Sequence, residues 1–363
     1  MKSEDTHYMN MAFTQALGAV GISRPNPAVG AVIVSQGKVV AQGRTEKPGQ
    51  RHGEIVALDK AGNLARGATL YVTLEPCCHY GRTPPCTEAI ITAGIKKVCI
   101  AVLDPNPKVH GGGYQQLKAA GIQVEVGVNG EYGKEFYQGF TYWMQHQLPW
   151  VDVKIAQSLD GFVGGPNYEP VAITGPESLK KVHKMRALSD YIVISGGTAV
   201  CDNPQLTVRG VEGNDPRRLV INGKKALPLN LKLFQELRAG TEVYSQSHQG
   251  HLADLVSVKQ WSHQDFASSW LGLLTELGAQ GVHRILFELG ANIAATVLPD
   301  TRLWNRFYLF TAPKFLTEGS AWKTKLSPNW NKNLYLSKFE VVGSDFLTVF
   351  ENVYRNNTSH RRN

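Results

Sequence analysis

The chain has 363 residues, of which 42% are hydrophobic and 19% are charged, and this ordinary globular composition excludes disordered, collagen-like and coiled-coil proteins. The net charge of +8 is spread along the sequence, whereas a nucleic-acid-binding protein usually concentrates positive charge in a stripe. No apolar run approaches the ~20 residues of a membrane span, and the opening residues lack the apolar core of a signal peptide. We therefore expect a cytoplasmic protein of two domains, because a single core rarely grows beyond about 300 residues.

The first half of the chain alternates helix and strand signals. Apolar residues at three- and four-residue steps, among them Met9, Phe13 and Ala16, predict an amphipathic first helix. Two β-branched runs over residues 31–34 and 38–41 predict a β-hairpin. We then predict a helix over residues 54–61, a strand over 69–74, a helix over 87–93 and strands over 98–103 and 122–126. This alternation predicts an α/β domain built around a mixed sheet.

An aromatic and polar segment over residues 137–150 separates the two halves, and we place the domain boundary between residues 147 and 148. In the second half, strands are predicted over residues 151–156, 191–194, 218–221, 284–288, 307–310 and 346–350, with helices over 177–188 and 267–277. The second half is therefore predicted to form another α/β domain.

Three of the five cysteines lie within ten residues, which favours metal binding or reactive thiols over disulfides. His52, Cys77 and Cys86 offer one imidazole and two thiolates, a set that leaves one tetrahedral position of zinc open for water. Glu54 follows His52 by two residues, and this pattern is typical of zinc deaminases, in which the glutamate carries protons. We expect Cys86 at a helix N-terminus, where the dipole favours a thiolate, and we interpret Cys78 as a bystander thiol.

The segment from Glu75 to Cys86, EPCCHYGRTPPC, resembles the bifunctional riboflavin-biosynthesis deaminase/reductase, as do PNPAVG at residues 25–30 and DPNP at 104–107. The resemblance spans almost the whole chain. It implies a cytidine-deaminase-like mixed-sheet domain over residues 1–147 and a dihydrofolate-reductase-like domain over 148–363. It also implies zinc held by His52, Cys77 and Cys86, with Glu54 as the proton carrier. Family members usually have alanine at the position of Gly53, and we expect glycine there to be harmless in size while loosening the helix start.

The resemblance also implies a substrate, a diaminopyrimidinone that carries a ribosylamino phosphate and loses its 2-amino group by hydrolysis. Four residues are expected to contact this substrate in the first domain: Asn26, His79, Arg82 and Thr83. Asn26 can hydrogen-bond the base, and the other three offer donors close to the metal. Each of the four can instead be a turn residue.

In the second domain, the resemblance implies NADPH as hydride donor to C1′ of the opened ribose. The residues that fall where NADPH is bound are Ala156, Ala172, Thr198, Asp202, Gly223, Gly290, Ala291, Asn292, Ile293, Ala294, Ala295 and Thr296. The residues that fall beside the ribosyl-phosphate substrate are Lys154, Pro170, Arg186, Leu206, Arg209 and Glu288. Lysine and arginine suit this place because a phosphate prefers charge-assisted donors.

The second domain departs from the family pattern at four positions: Pro170, Ala172, Asn222 and Leu289. These departures leave open a monofunctional deaminase whose second domain only dimerises. A nucleic-acid base deaminase is the other alternative, and it would need basic and aromatic residues clustered around the zinc loop. For the leading interpretation we expect a phosphorylated pyrimidine as partner, no nucleic acid or membrane, and a homo-oligomer formed through the second domain.

Overall fold

The computed structural model describes residues 2–80, 84–107, 109–235, 240–261, 265–322 and 330–356. The chain separates into two compact units, one of Met1–Gln145 with Glu212–Asn214 and one of His146–Val211 with Asp215–Asn363. Within the described ranges, no helix combines the length and the apolar character needed to cross a membrane.

The described helices are α1 (Lys2–Leu17), α2 (Gly53–Ala61), α3 (Cys86–Thr92), α4 (Gly112–Ala119), α5 (Gly130–His146), α6 (Pro176–Ala187), α7 (Gly196–Asp202), α8 (Lys232–Gln235), α9 (Phe266–Ala279), α10 (Ala291–Val297) and α11 (Val353–Asn356). The described strands are β1 (Gly30–Ser35), β2 (Lys38–Arg44), β3 (Thr69–Leu74), β4 (Lys97–Val102), β5 (Gln123–Val126), β6 (Trp150–Ser158), β7 (Phe162–Gly164), β8 (Tyr191–Ser195), β9 (Arg217–Asn222), β10 (Thr241–Ser245), β11 (Ser257–Gln260), β12 (Arg284–Glu288), β13 (Arg306–Ala312), β14 (Ser320–Ala321), β15 (Leu334–Val342) and β16 (Asp345–Asn352).

The sheet of the first unit has the strand order β2-β1-β3-β4-β5. β1 pairs antiparallel with β2 and β3, whereas β3, β4 and β5 are parallel. Residues 31–34 of β1 are all buried, so both faces of this strand are covered. Because β3 and β4 are parallel, the loops that follow them begin at the same edge of the sheet. The cysteine-rich loop after β3 and the DPNP loop after β4 are therefore neighbours.

The sheet of the second unit has the strand order β11-β10-β9-β8-β12-β6-β13-β16-β15. All neighbouring strands from β11 to β13 are parallel, and β16 pairs antiparallel with β13 and β15. β7 and β14 form a separate two-stranded sheet. The parallel arrangement brings the carboxyl ends of β6, β8, β9 and β12 to one edge, where ligands bind in open α/β sheets.

Helices cover both faces of this second sheet. On one face, Trp270 of α9 and Val297 of α10 pack with Phe287 of β12. On the other face, Met185 of α6 packs with the neighbouring strand residue Leu286, and α7 and α8 cover the same face further along the sheet. Consecutive residues of β12 thus serve opposite cores, which explains why this strand is a continuous apolar run in the sequence.

The aromatic segment before the predicted domain boundary is mostly helical. α5 runs from Gly130 to His146, and Phe136, Phe140 and Tyr142 are buried on it. The sequence analysis assigned no element to this segment, where aromatic side chains at helical spacing supply core contacts. β15 was also missed, since most of its side chains are exposed and give no apolar alternation.

Candidate active sites

The first candidate site lies where α2 and α3 begin. His52 directly precedes α2, Cys77 lies in the loop after β3, and Cys86 is the first residue of α3. His52 Nδ1 lies 3.2 Å from Cys86 Sγ and 3.6 Å from Cys77 Sγ. The three ligand atoms lie within 4.8 Å of one another. The structure therefore brings together the three residues that we predicted as metal ligands.

These distances fit a zinc ion. In a tetrahedral site, Zn–S bonds of ~2.3 Å and Zn–N bonds of ~2.1 Å put neighbouring sulfur and nitrogen atoms ~3.6 Å apart. Cys78 is not in this group, and its Sγ lies instead beside Gly112. A second described group of possible ligands, Asp5, Cys99 and Glu125, has Lys97 Nζ within ion-pair distance of both carboxylates.

The protonation of the three ligands is mutually dependent. Hydrogen bonding to Cys86, with a further contribution from His52, lowers the pKa of Cys77 to about 4. Hydrogen bonding to Cys77 raises the pKa of His52 to about 9, and the contact with Cys77 together with burial raises the pKa of Cys86 well above that of an ordinary thiol. Cys86 is the first residue of α3, at a helix N-terminus as expected, while the neighbouring Cys77 and Glu54 favour its protonated form when no metal is bound. Zinc binding must displace protons from this site.

Glu54 lies beside these ligands and is 3% exposed. Its Oε2 atom is buried and has no hydrogen-bond partner among the described residues. Burial raises the pKa of Glu54 to about 7, an effect that the charge of His52 opposes and that of Cys77 reinforces. A carboxyl group with this pKa can both accept and release a proton at neutral pH. Burying a carboxylate oxygen without a hydrogen-bond partner costs free energy of folding. This cost indicates that Oε2 contacts a bound ligand.

Asn26 lies in the loop before β1. Hydrogen bonds from two other segments of the chain hold this loop. The backbone N–H of Thr45 donates to the carbonyl of Val29 at 2.9 Å, and Val29 N–H donates to Thr45 Oγ1 at 3.1 Å. The hydroxyl of Tyr137 donates to the carbonyl of Ala28 at 2.9 Å. Sequence reasoning missed Thr45 and Tyr137 because their partners are distant in the chain.

Gly53, the first residue of α2, packs directly against this loop. A Cβ atom at Gly53 would lie 2.8 Å from the carbonyl oxygen of Val29 and 3.3 Å from Cα of Arg44. The sequence suggested that glycine is merely tolerated here. The close backbone approach shows that a larger residue would force either the start of α2 or the loop that carries Asn26 to shift.

Glu75 joins the zinc loop to the loop after β4, a role that the sequence analysis missed. Its buried carboxylate accepts backbone N–H groups from Asp104 at 3.1 Å, Gly111 at 2.9 Å and Tyr114 at 2.9 Å. The sequence signal that could have identified Glu75 was its place directly before the Pro-Cys motif.

His79, a predicted substrate residue, is exposed and lies two residues after Cys77.

Two more of the predicted substrate residues, Arg82 and Thr83, lie outside the described residues. Their predicted contacts with the substrate therefore stay predictions.

The second candidate site lies at the carboxyl ends of β8, β9 and β12. Thr198 follows β8, Gly223 follows β9, and Gly290 lies between β12 and α10. Thr198 Oγ1 would be 2.7 Å from a Cβ atom at Gly290, whereas a Cβ atom at Gly223 would meet nothing within 4 Å. Gly223 thus has open space beside its Cα atom, whereas Gly290, at the N-terminus of α10, approaches Thr198 closely. A glycine turn that leads into a helix N-terminus fits the phosphates of a dinucleotide.

The other predicted cofactor residues differ in accessibility. Ala294 is fully buried and Ile293 packs against the same core, while Asn292 and Thr296 are exposed. Ala291 begins α10, and its neighbour along the helix, Ala295, is half-buried. Three further residues of this set lie on other elements: Ala156 on β6, Ala172 in the loop before α6 and Asp202 at the end of α7.

Lys154, Arg186 and Glu288 form a charge cluster, in which Arg186 is buried and the other two are partly buried. The register of β6 and β12 pairs Lys154 with Glu288, and Arg186 Nε donates to Glu288 Oε1 at 2.8 Å. Burial alone would raise the pKa of Glu288, but the charges of Arg186 and Lys154 lower it to about 2. Burial lowers the pKa of Lys154. The structure therefore brings together three of the predicted substrate residues around one carboxylate.

Arg186 also connects this cluster to the segment that contains Leu206 and Arg209. Its Nη1 donates to the carbonyl of Thr207 at 3.2 Å, and Arg209 Nη1 donates to Thr207 Oγ1 at 2.7 Å. Leu206 is buried, whereas Pro170 is exposed.

Two of the four residues that depart from the family pattern have a structural explanation. Leu289 is buried in the core beneath α9 and α10. Asn222 donates from Nδ2 to the carbonyl of Lys225 at 2.8 Å and to Ser245 Oγ at 3.1 Å.

Comparison with known proteins covers both units. Residues 2–102 match the cytidine and deoxycytidylate deaminase zinc-binding region, and residues 149–348 match the RibD C-terminal domain. The riboflavin biosynthesis protein RibD of Aquifex aeolicus is 37% identical over 319 residues, which span 87% of this chain and 88% of the relative. The chain belongs to the RibD family.

Solved structures of RibD proteins agree with this membership. Acinetobacter baumannii RibD (form 1) superimposes with a TM-score of 0.74 at 33% identity, covering 97% of this chain and 99% of the other. A deaminase/reductase from Thermotoga maritima reaches a TM-score of 0.77 at 29% identity with the same coverage. The predicted α/β fold, with a cytidine-deaminase-like and a dihydrofolate-reductase-like part, is confirmed. The chain is a bifunctional deaminase and reductase of riboflavin biosynthesis that uses zinc and NADPH.

Proposed function

We propose that residues 1–147 deaminate a pyrimidine ribosyl phosphate and that residues 148–363 reduce the product. The Thermotoga maritima relative is described as a diaminohydroxyphosphoribosylaminopyrimidine deaminase/5-amino-6-(5-phosphoribosylamino)uracil reductase. The substrate of this chain is accordingly 2,5-diamino-6-(5-phosphoribosylamino)pyrimidin-4-one. The aminouracil formed by deamination then becomes the substrate of the reductase, which converts its ribosyl chain to ribityl phosphate.

In the deaminase, His52, Cys77 and Cys86 would hold zinc, which when bound would lower the pKa of a water molecule. Glu54 would hold a proton at its unpartnered Oε2 and pass it to the leaving amino group. The pKa of about 7 suits both transfers. Asn26 orients the base from its anchored loop, and the other substrate contacts come from His79, Arg82 and Thr83.

In the reductase, NADPH supplies the hydride. It is held by the turns and helix starts after β8, β9 and β12 together with the neighbouring residues Ala156, Ala172, Thr198, Asp202, Gly223 and 290–296. The substrate contacts Pro170, Leu206 and Arg209 in addition to the charge cluster of Lys154, Arg186 and Glu288. An ionised Glu288 keeps both cations in place, and cations at fixed positions suit a phosphate and ribose hydroxyls.

The observation that carries the deaminase assignment is the buried Oε2 atom of Glu54, which has no hydrogen-bond partner among the described residues and lies beside three potential zinc ligands. The order of the two reactions is tested with the zinc-loaded full chain and the diaminopyrimidinone substrate. Ammonia should appear without NADPH, and NADPH oxidation should follow ammonia release with a lag. Oxidation of NADPH before any ammonia is released would contradict the proposed order.

Substitution of Arg209 by alanine tests the substrate placement in the reductase. Loss of a charge-assisted contact to the phosphate should raise KM for reduction, at a cost of roughly 1.5–3 kcal/mol. NADPH affinity and ammonia release should stay unchanged. If the variant instead binds NADPH more weakly and retains its KM for the aminouracil, the two ligands have been placed in reversed positions.

We also propose a homo-oligomer formed through residues 148–363. On β15, Leu336, Phe339 and Val341 are 53%, 62% and 66% exposed, and Phe339 stacks on Phe346 of β16. A second copy would cover this apolar sheet surface. Analytical ultracentrifugation should show an oligomer that Phe339→Lys dissociates, and a wild-type monomer would contradict the proposal. The need for zinc-binding thiolates and NADPH supports a cytoplasmic, reducing location.

A further inference from the structure

His183 is a buried histidine on α6 that the proposed mechanism does not use. It is 3% exposed and lies one turn before Arg186. Its Nδ1 atom accepts the backbone N–H of Arg209 at 3.2 Å. His183 therefore contacts the backbone of a predicted substrate residue, while Arg186 contacts the carbonyl of Thr207 two residues earlier.

The segment held by these contacts has an unusual backbone. Leu206 has a φ of 54° although it is neither glycine nor asparagine, and this left-handed conformation is strained for a bulky side chain. Such strain persists only where surrounding contacts enforce it. Here α6 supplies two of these contacts, and Asp215 Oδ1 supplies a third by accepting the N–H of Val208 at 2.6 Å.

We infer that His183 is a positioning residue of the reductase, which holds the backbone of Arg209 so that the guanidinium faces the phosphorylated substrate. The inference rests on the proposed function, because it takes Arg209 as a substrate contact. His183 itself touches neither substrate nor NADPH in this scheme. Its effect is transmitted through one hydrogen bond, which it accepts from the backbone N–H group of Arg209.

The role requires that Nδ1 carries no proton, since a protonated nitrogen cannot accept the N–H of Arg209. The charged groups that face the ring are Arg186 on α6, Arg209 on the segment and Glu288 on β12. Burial and the charges of both arginines lower the pKa of His183, while the carbonyl of Thr207 and Glu288 oppose this shift. The net shift favours the neutral ring, whose Nδ1 can accept the N–H of Arg209, and protonation on acidification would remove this acceptor.

Two substitutions of His183 separate the hydrogen bond from packing. His183→Asn can place an amide oxygen near the position of Nδ1 and cannot become protonated, whereas His183→Leu fills the site without an acceptor. With the full chain, NADPH and the aminouracil substrate, His183→Leu should raise KM for reduction at least tenfold. His183→Asn should restore KM to within about threefold of wild type, and NADPH affinity and ammonia release should be unchanged in both.

Met185→Ala is the matched control for lost packing on the same helix. Met185 packs on Leu286 and Phe310, so this variant should lower the melting temperature without raising KM. A similar KM increase in Met185→Ala and His183→Leu would show that only helix stability matters and would overturn the inference. An unchanged KM in His183→Leu would overturn it as well.

The pH dependence of KM keeps the inference testable even if His183→Leu does not fold. As pH falls, KM of the wild type should rise more steeply than KM of His183→Asn, although the substrate phosphate titrates in both. Parallel profiles would overturn the inference. Arg209→Ala distinguishes the two levels of failure: if its KM is unchanged, the substrate placement itself is wrong, whereas a raised KM with parallel pH profiles refutes only the role of His183.

Discussion

Substitution of Gly53 by alanine should destabilise the deaminase unit, although helix propensity alone predicts the opposite. Gly53 begins α2, and alanine is favoured over glycine in helices by about 0.5–1 kcal/mol. The Cβ atom of alanine would, however, lie 2.8 Å from the carbonyl oxygen of Val29, where ordinary contacts begin at 3.4 Å. One of the two backbones must therefore move by about 0.6 Å, the difference between these distances.

The carbonyl of Val29 cannot move freely because it accepts the N–H of Thr45 at 2.9 Å. Overpacking of this kind costs about 1–3 kcal/mol, and a weakened hydrogen bond adds up to about 1 kcal/mol. With the gain in propensity subtracted, these terms span about 0–3.5 kcal/mol of net destabilisation, with a midpoint of about 2 kcal/mol. At roughly 2–4 °C per kcal/mol for a unit of this size, the midpoint corresponds to a fall of about 4–8 °C in the melting temperature.

Gly112→Ala is a control with matched geometry. Gly112 also begins a helix, α4, and a Cβ atom there would also meet an atom at 2.8 Å. That atom is Cys78 Sγ, the end of a side chain that can rotate away. Gly112→Ala should therefore be neutral or stabilising by up to about 1 kcal/mol.

Differential scanning calorimetry of the zinc-loaded chain measures both variants. The deaminase transition is the one that a zinc chelator shifts to lower temperature. Gly53→Ala should also raise KM for deamination, because the displaced loop carries Asn26. If Gly53→Ala raises the melting temperature as much as Gly112→Ala does, the close approach of Val29 has no energetic consequence and the reasoning is refuted.

Three further predictions concern single side chains. Glu54→Gln should keep zinc but lose ammonia release, because an amide cannot accept and return the proton; ammonia release near the wild-type rate, measured together with metal content, would show that Glu54 is not the proton carrier. Cys86→Ser should lose zinc while Cys78→Ser retains it, as measured by metal analysis after dialysis, and equal losses would refute the ligand assignment. Glu288, whose pKa is lowered to about 2, should contribute about 3 kcal/mol of stability that is present above pH ~4.5 and lost as pH falls toward ~2. Urea unfolding across this range should give a steeper decline for the wild type than for Glu288→Gln, and parallel declines would refute the contribution.

The zinc site was predictable because its chemistry is encoded in short-range order. His52 and Glu54 are separated by one residue, and Cys77 and Cys86 by one loop, so the residue types alone specify which side chains meet. The closeness of Val29 to Gly53 was not predictable, since it depends on how α2 packs against a loop 24 residues earlier. Sequence patterns report which residues are apolar or reactive, but they do not report distances between backbones.

The charge cluster of the second unit shows the same limit at longer range. Glu288 lies 102 residues after Arg186, and it meets Lys154 only because β12 and β6 pair in one parallel register. A shift of that register by one residue would point Glu288 and Lys154 to opposite faces of the sheet. Only the family resemblance could name these residues in advance, because no local pattern connects them. The strained backbone at Leu206 likewise has no signature in the sequence.

Glu54 and Glu288 illustrate how their surroundings assign different roles to the same side chain. Glu54 has an unpartnered Oε2, and burial raises its pKa to about 7, so it can exchange a proton at neutral pH. The Glu288 side chain is 16% exposed, and Arg186 and Lys154 lower its pKa to about 2. Glu288 consequently stays ionised and fixes the two cations, and it has no proton to give near pH 7. If hydride transfer in the reductase requires a proton donor, that donor must be sought elsewhere than in Glu288.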